Sequence, residues 1–345
     1  MPDQTPPRKR RLGLILPFGL LLMGIVVWTG VWFSMRGTVD LRLTAAQDAL
    51  RKAGYDVAWS SRSVTGYPFR LDVTLIEPRI RDVSGWALAA PRLEAEAYTL
   101  TPGSWIIAAP QGLEFTRPRG GPVAVKGDLI RASLTHLNNH PPNVSFEGVK
   151  LAFTPGPGAQ PFALSTADRV EFHLRAGPDD EGGLFAEVKN GKAQFSGLFA
   201  RIAGDKPVSM TWNSTLSKMS AFEGATWPEA VRRWTAAGGR MTVRSAGITA
   251  GDALIGANSG SLGVGGDGRL TGALDVTLRQ APRALSVMGE AGVIPQPNAE
   301  AAVAVARARQ GADEAARASI TFQAGQTTLG PVAIGPAPKV YEVRR

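Results

Sequence analysis

Few residues of this sequence could carry out chemistry, and their spacing does not favour it. The chain has no cysteine and three histidines. Two of them, His136 and His140, stand four apart in HLNNH, a spacing that on a helix could place both on one metal ion. Pro141 and Pro142 follow at once, and the preceding LIRASLTHL is typical of a strand. The segment therefore predicts a polar turn, and His173 would have to converge on it from elsewhere.

Two further segments contain the letters of a binding motif without its structural context. LGVGGDG, residues 262–268, has the GxGxxG spacing, which binds dinucleotide phosphates only where a helix follows. Here the strand-like RLTGALDVTL follows, which favours a hairpin turn. PDDEGG, residues 178–183, has the acidity of a calcium loop but not its regular ligand spacing, and it predicts a solvated turn.

Motifs for nucleophilic or metal-assisted hydrolysis are lacking. No GxSxG, HExxH or Walker A segment occurs in the sequence. Acidic residues are spread along strand-like segments, so a catalytic pair of carboxylates would depend on tertiary contacts. We therefore expect no enzymatic activity, no metal and no cofactor.

The N-terminal segment predicts a membrane anchor. RKRR at residues 8–11 is followed by 24 uncharged residues, 12–35, and then by Arg36. As a helix this uncharged segment is about 36 Å long, enough to cross a hydrocarbon core of about 30 Å. Trp28 and Trp32 lie near its far end, where aromatic side chains meet the interface. The segment is too long for a signal peptide and lacks a small-residue cleavage site, which indicates an uncleaved anchor.

The basic residues before the anchor predict its orientation. By the positive-inside rule, residues 1–11 form a cytoplasmic tail, and the chain after residue 36 lies in the periplasm of a Gram-negative cell, with the anchor in the inner membrane. Residues 1–36 carry five Lys or Arg and one Asp of a chain with net charge +9, which leaves 33 basic and 28 acidic residues in the remainder. No basic stripe with interleaved aromatic residues appears, so nucleic acid is not an expected partner.

Helices are expected at the start and late in the chain. Residues 36–54 extend the anchor, with Gly54 as the C-terminal stop. The expected apolar stripe of this extension consists of Leu41, Ala45, Ala49 and Leu50. TWPEAVRRWTAAGG predicts a helix with Thr226 as N-cap. APRALSVMGEAGVIP and NAEAAVAVARARQGADEAARA, the latter starting from Asn298, predict a helical hairpin.

After residue 54 the hydrophobic period changes to two, which is typical of half-buried strands. GYPFRLDVTL alternates Phe69, Leu71 and Val73 against Arg70 and Asp72, and the same pattern recurs in RLEAEAYTL, VKLAF, RVEFHLR, VSMTW and GRLTGALDVTLR. With 40 Gly and 25 Pro between such segments, the sequence predicts a mainly β fold of the α+β class, a long curved antiparallel sheet. Because the domain exceeds the usual single core, we divide it into a β-rich lobe at 55–225 and a second lobe with the helical hairpin at 226–345.

The predicted helices are too few to cover both faces of such a sheet. The apolar faces either pack on each other as a filled core or leave an elongated groove that could hold lipid beside the anchor. The residues expected to line this apolar groove are Phe69, Leu71, Val73, Phe153, Phe172, Met210 and Trp212. The alternative is a non-enzymatic envelope scaffold with a filled core, which acts through protein partners.

The turn before the first long strand has two interpretations. Its motif residues are Gly66, Tyr67, Pro68 and Arg70, with Phe69 between the last two. Pro68 favours extended geometry at Tyr67, and Gly66 tolerates a positive φ. The turn either sets the register of the strand, or Tyr67 and Arg70 contact a partner or a lipid head group.

The order of these segments resembles one bacterial family. AGYDVAWSSRSVTGYPFRLDVTLIEP and WALAAPRLEAEAYTLTPGSWIIAAP follow the anchor, and DGRLTGALDVTLRQAPRAL and GQTTLGPVAIGPAP come late. Over about residues 10–340, and most specifically at 66–70 and 330–338, they are similar to the membrane-anchored proteins catalogued as domain of unknown function family 2125. That family has no assigned reaction, so the resemblance implies no catalytic residue. The architecture is more distantly similar to AsmA-like envelope proteins, which implies by analogy a sheet that holds lipid.

Overall fold

A computed structural model describes residues 12–137, 139, 141–194, 198–224, 226–309 and 315–341 of the chain. Within these residues the helices are α1 (Leu12–Lys52), α2 (Leu198–Ala203), α3 (Trp227–Ala236), α4 (Ala281–Glu290) and α5 (Gln296–Ala308). The strands of the first half are β1 (Asp56–Ala58), β2 (Ser61–Thr65), β3 (Arg70–Ile76), β4 (Arg79–Arg81), β5 (Ala87–Ala89), β6 (Arg92–Tyr98), β7 (Trp105–Ala108), β8 (Leu113–Arg117), β9 (Gly121–Lys126) and β10 (Leu129–Thr135). Those of the second half are β11 (Asn143–Pro155), β12 (Leu164–Ala176), β13 (Glu181–Ala193), β14 (Val208–Ser217), β15 (Met241–Ala250), β16 (Ala253–Val264), β17 (Leu270–Arg279), β18 (Ala315–Gln323), β19 (Gln326–Leu329) and β20 (Val332–Pro336).

α1 is one continuous helix that contains the described uncharged residues and the extension after them. Its apolar part is long enough to cross a membrane by length and composition. The predicted stop is confirmed, because the helix ends at Lys52 and Gly54 follows with a φ of +92°.

The predicted stripe on the extension of α1 is wrong at three of its four positions, since of its members Leu50 alone is half-buried. Leu41 is 72% exposed, and Ala45 and Ala49 are exposed as well. The side chains that pack against the sheet are Trp32, Met35, Val39 and Leu43. Leu41 follows Val39 by two residues, about 200° around the helix, so the two cannot share a face.

The strands of the described residues form one antiparallel sheet that is not closed into a barrel, which confirms the predicted fold class. From β11 the sheet continues strand by strand through β12 to β20 in chain order. On its other side β11 divides the sheet into two branches. Its first half pairs with β10, which leads through β7, β6 and β3 to β2, whereas its second half pairs with β9, which leads through β8, β5 and β4 to β1.

The predicted helical hairpin is present but shorter than expected. α4 and α5 pack on one face of β16 to β18 and form the largest buried cluster with them. α5 begins at Gln296, before Asn298, and ends at Ala308, whereas the end of the predicted helix, from Ala315 onward, belongs to β18. The reason is a change of period, since residues 315–322 of β18 pair with β17 one by one. α2 was not expected, because its six residues are too few to show a helical period.

The sheet is continuous where the two lobes were expected to meet. α3 begins after Thr226, as predicted, and lies between β14 and β15 in the sequence. These two strands pair directly with each other. This pairing does not test the division of the chain into lobes at 55–225 and 226–345, which stays a prediction.

Candidate functional site

A cavity of about 630 Å³ lies between α1 and the sheet. Met35, Val39 and Leu43 form its helical wall, and apolar residues of β3, β6, β7 and β10, including Leu75, form the other. Arg42 is the one charged side chain among the lining residues of this cavity. The volume falls in the range of about 300–1,000 Å³ that is typical of small-molecule pockets.

The cavity begins where the uncharged segment ends. Ser34 and Met35 line one end, and Ala46 is the last lining residue on α1, so the cavity follows the helix for about 18 Å. Trp32 precedes this stretch and is buried against Val64 and Leu71. The layer that Trp32 forms with these side chains thus lies between the cavity and the earlier residues of the uncharged segment.

Polar contacts along one side fix α1 to the sheet. Arg62 of β2 forms an ion pair of 2.9 Å with Asp40 and donates a hydrogen bond to the hydroxyl of Thr44. Gln47 and Arg51 both donate to the main-chain oxygen of Val57 in β1. Because these bonds hold α1 over β1 and β2, the helix is kept at a distance from β6, β7 and β10, and the cavity occupies that space.

Cross-strand partners form an apolar row that begins at the cavity and crosses the sheet. Residues directly opposite each other in paired strands share a face. The apolar row consists of Val73, Ala95, Ile107, Ala132, Phe146, Phe172, Ala186, Trp212, Ala246, Ala257, Val276 and Ala318, each paired with the next. Twelve strands at about 4.8 Å spacing make the row about 53 Å long. Every position in it is apolar, whereas a row set by chance would include polar residues.

The opposite face of the same strands carries charges. Glu147 accepts from Arg131 and Arg169, both at 2.6 Å, and Arg169 also pairs with Glu171 at 2.6 Å. The hydrogen bond to Glu171 is the main reason that the pKa of the Arg169 guanidinium lies above its ordinary value. Lys189 pairs with Glu187 on the next strand. The sheet is therefore polar on one face and apolar on the other, so a filled core can lie only on the apolar side.

The residues expected in the apolar groove do not all lie together. Leu71 and Val73 line the cavity. Phe172 and Trp212 are members of the apolar row, and Met210 lies on the same face two residues before Trp212. Phe153 packs in a cluster between the two branches of the sheet, with Phe162 at 5.0 Å, and Phe146 of the apolar row packs against the same cluster.

Phe69 lies apart from this set. It precedes β3, is 65% exposed, and contacts Trp28 of α1 at a ring distance of 6.3 Å. Its alternation with Leu71 ends at the turn, because the chain leaves the sheet there. The sequence reasoning also missed the helical wall of the cavity. Trp32, Met35, Val39 and Leu43 recur every three or four residues, which is the signal that could have found it.

The turn at residues 66–70 is attached to α1. Gly66 has a φ of +102°, and a Cβ on it would lie 2.8 Å from the main-chain oxygen of Arg70, so glycine is required there. The Tyr67–Pro68 peptide bond is cis. Arg70 forms ion pairs with Asp72 and Glu96. The turn thus positions the first strand of the cavity wall relative to α1.

The segments with motif-like letters are turns, as predicted. Residues 265–269 join β16 to β17, and residues 177–180 join β12 to β13. His136 follows β10 and is exposed, His173 stacks on Phe185 in the sheet, and His140 lies outside the described residues. The described residues contain no cluster of three or more His, Asp or Glu side chains that could hold a metal ion.

Fold and cavity together define a β-rich protein whose described residues include one candidate membrane-spanning helix, with an apolar, ligand-sized cavity beside it. A family model described as "Uncharacterized protein conserved in bacteria (DUF2125)" matches residues 32–338, and the chain belongs to that family. This confirms the resemblance drawn from the sequence. No curated protein and no solved structure matches the chain. The more distant similarity to AsmA-like proteins stays a prediction.

Proposed function

We propose that the protein is a membrane-anchored envelope protein that holds the acyl chains of lipids in the cavity between α1 and the sheet. The observation that carries this proposal is the cavity itself, about 630 Å³ in volume and lined by apolar side chains apart from Arg42 and two hydroxyl residues, Ser34 and Thr38. Its first lining residues on α1, Ser34 and Met35, are the last two residues of the uncharged segment. The apolar row supplies an extended path for further lipid, or for passing lipid along the sheet.

The position of the cavity lowers the free energy of loading. Each methylene group moved from an apolar medium into water costs about 0.8 kcal/mol, so a chain of ten exposed methylenes costs about 8 kcal/mol. A cavity that begins at the membrane surface receives an acyl chain without that exposure. Arg42 in the wall supplies a positive charge for an anionic head group.

The proposed role is binding without catalysis, without a cofactor and without nucleic acid. The uncharged segment of α1 would lie in the inner membrane of a bacterial cell, with residues 1–11 in the cytoplasm and the sheet in the periplasm. Support comes from the basic residues before the segment and from the family description.

Lipid content of matched variants tests the proposal. Ala95→Trp places an indole in the cavity, whereas Glu94→Trp places one on the other face of β6, where the glutamate is half-exposed. Lipid that co-purifies with the full chain is measured by native mass spectrometry, and thermal melting is measured on the same samples. We expect Ala95→Trp to lose most bound lipid without a fall in melting temperature, and Glu94→Trp to keep it.

Two outcomes would contradict the proposal. Wild-type protein without bound lipid would favour a scaffold with a filled core. Equal lipid content in both variants would show that lipid binds elsewhere, for example on the outside of α1.

A single engineered cysteine tests the orientation, since the natural chain contains none. Thr166→Cys lies at an exposed position of β12. We expect a membrane-impermeant maleimide to label it in cells with a permeabilised outer membrane but an intact inner membrane. Labelling that requires disruption of the inner membrane would place the sheet in the cytoplasm.

A further inference from the structure

Two turns at one end of the sheet are fixed to the last part of the uncharged segment of α1. The indole of Trp28 donates to the main-chain oxygen of Pro68 at 2.9 Å, and that of Trp32 donates to Arg70 at 2.8 Å. The hydroxyls of Thr29 and Tyr67 are 2.8 Å apart. Because Thr29 already donates to Ile25, the Tyr67 hydroxyl is the donor of this bond. Three hydrogen bonds therefore tie one short turn to two successive turns of the helix.

The second turn, which joins β6 to β7, is held beside the first. Thr99 donates from both its main-chain nitrogen and its hydroxyl to the main-chain oxygen of Phe69. Tyr98 is paired with Arg70 in the sheet, and Leu100 follows at the tip of the turn. The two turns are thus bonded to each other and, through the first, to α1.

These turns present large apolar side chains to their surroundings. Tyr67, Phe69, Tyr98 and Leu100 are all exposed, Leu100 by 79%. We call these four residues the interfacial patch. Exposed aromatic and leucine side chains gathered in one place mark an interaction surface.

The depth of Trp28 in the membrane determines what covers the patch. If the hydrocarbon core begins near Leu12, its far boundary about 30 Å away falls near Trp32. Trp28 then lies about 6 Å below that boundary and Arg36 about 6 Å above it. The turn that carries Tyr67 and Phe69 is bonded to Trp28, Thr29 and Trp32, so the patch lies near their level. Aromatic side chains are favoured at this depth.

We propose that the interfacial patch inserts into the head-group region of the bilayer that α1 crosses. The inference rests on the membrane anchor of the proposed function but not on lipid in the cavity. Insertion at this point holds the sheet against the bilayer and fixes the cavity at the membrane surface. Without it, α1 and the sheet attached to it would be free to tilt together relative to the bilayer.

Depth-dependent quenching in the full chain tests the proposal. The chain without natural cysteine is given Leu100→Cys, labelled with an environment-sensitive fluorophore, and reconstituted into phosphatidylethanolamine and phosphatidylglycerol vesicles. Val293→Cys, an exposed position between α4 and α5, is the matched control. We expect lipids brominated close to the head group to quench the label at position 100 several-fold more than the label at position 293. Iodide in solution should show the reverse order.

Different failures give different signals. A chain that does not float with the vesicles would contradict the membrane anchor itself. A chain that floats but has position 100 as accessible to iodide as position 293 would overturn the patch and leave the anchor intact. A label at position 100 shielded from both quenchers would point to contact with protein and would also overturn the inference. Loss of lipid in Ala95→Trp with normal quenching at position 100 would separate the cavity from the patch.

Discussion

Near each end of the apolar row a valine is covered by helices, but the helices pack differently on the sheet. At the C-terminal end, Val276 lies beneath α4 and α5, and small residues of α5 such as Ala299 and Ala302 allow the helix to lie close to the sheet. At the N-terminal end, Val73 lies beneath α1, which is held over β1 and β2 by polar bonds and leaves a cavity. Both valines are nearly inaccessible, at 3% and 4%.

The difference shows that alternation in a strand does not decide whether its apolar face becomes a core or a site. The outcome depends on the helices that cover the strand, namely on the size of their side chains and on the points at which they are bonded to the sheet. Between the two ends, Phe172, Ala186 and Met210 are half-buried and belong to none of the buried clusters of the described residues. The row thus passes from a cavity, through an open stretch, to a packed core.

The largest effect is expected from a charge in the packed core. In Val276→Asp the carboxylate is buried with no partner and no space for water, which costs several kcal/mol. We expect the full chain in nanodiscs to lose its cooperative thermal transition, measured by circular dichroism. Ala273→Asp, at an exposed position of the same strand, is the control and should change stability by about 0.5 kcal/mol or less. Equal melting temperatures would mean that the α4–α5 cover is loose.

The same substitution at the other end of the row should have a smaller effect. Val73→Asp faces the cavity, where water can hydrate the carboxylate. We expect about half the destabilisation of Val276→Asp or less, because hydration removes much of the cost of burial. Bound lipid should be lost in the same preparation. If Val73→Asp unfolds the chain as completely as Val276→Asp, the cavity does not admit water and the two ends do not differ.

Sequence reasoning could predict the faces of the strands but not their covers. The period of two places Phe172 and Trp212 on one face, and the helical segments are visible from caps and glycines. The register that joins these residues into a row depends on which strands pair, and β11 pairs with both β9 and β10. The branching at β11 comes from long-range pairing, which no local period reports.

The open stretch of the row should tolerate a charge best. Phe172 is half-buried, so Phe172→Glu loses about 1 kcal/mol of apolar burial while its carboxylate stays hydrated. We expect a cooperative transition with a slightly lower melting temperature, and reduced lipid only if lipid reaches this part of the row. His173→Glu, on the other face of the same strand, is the control for added charge. Unfolding by Phe172→Glu alone would mean that this stretch is a filled core.

The candidate site was predicted only in part, for a physical reason. Leu71 and Val73 were expected in the groove and line the cavity, whereas the other wall comes from the extension of α1. Its stripe was misassigned because Leu41 and Ala45 are also apolar, and the choice between two stripes depends on where polar groups such as Asp40 find partners. The partner of Asp40 is Arg62 of β2. The helical period of α1 does not indicate this partner, although the two side chains are in contact.

The smallest expected effect concerns the turn after β12, a strand of the open stretch, and its attachment to the cluster that contains Trp234 of α3. Asp180, in the turn between β12 and β13, accepts from the main-chain nitrogen of Ser220 at 2.7 Å and from its hydroxyl at 3.0 Å. The hydrogen bond from the main-chain nitrogen of Ser220 is the main reason that the pKa of Asp180 lies below its ordinary value. Because the pKa is lower in the folded chain, the resulting stability is present above the unfolded-state pKa and is lost as the pH falls through the folded-state pKa.

Asp180→Asn removes this pH dependence. We expect its melting temperature to fall less steeply than that of the wild type as the pH is lowered below about 4, with a small difference at neutral pH. Asp179→Asn, in the same turn but outside the two bonds to Ser220, should keep the wild-type slope. Next to Ser220, Met219 is buried in the cluster with Trp234 of α3, so the bonds attach the β12–β13 turn to that cluster. An unchanged slope in Asp180→Asn would mean that this attachment does not contribute to stability.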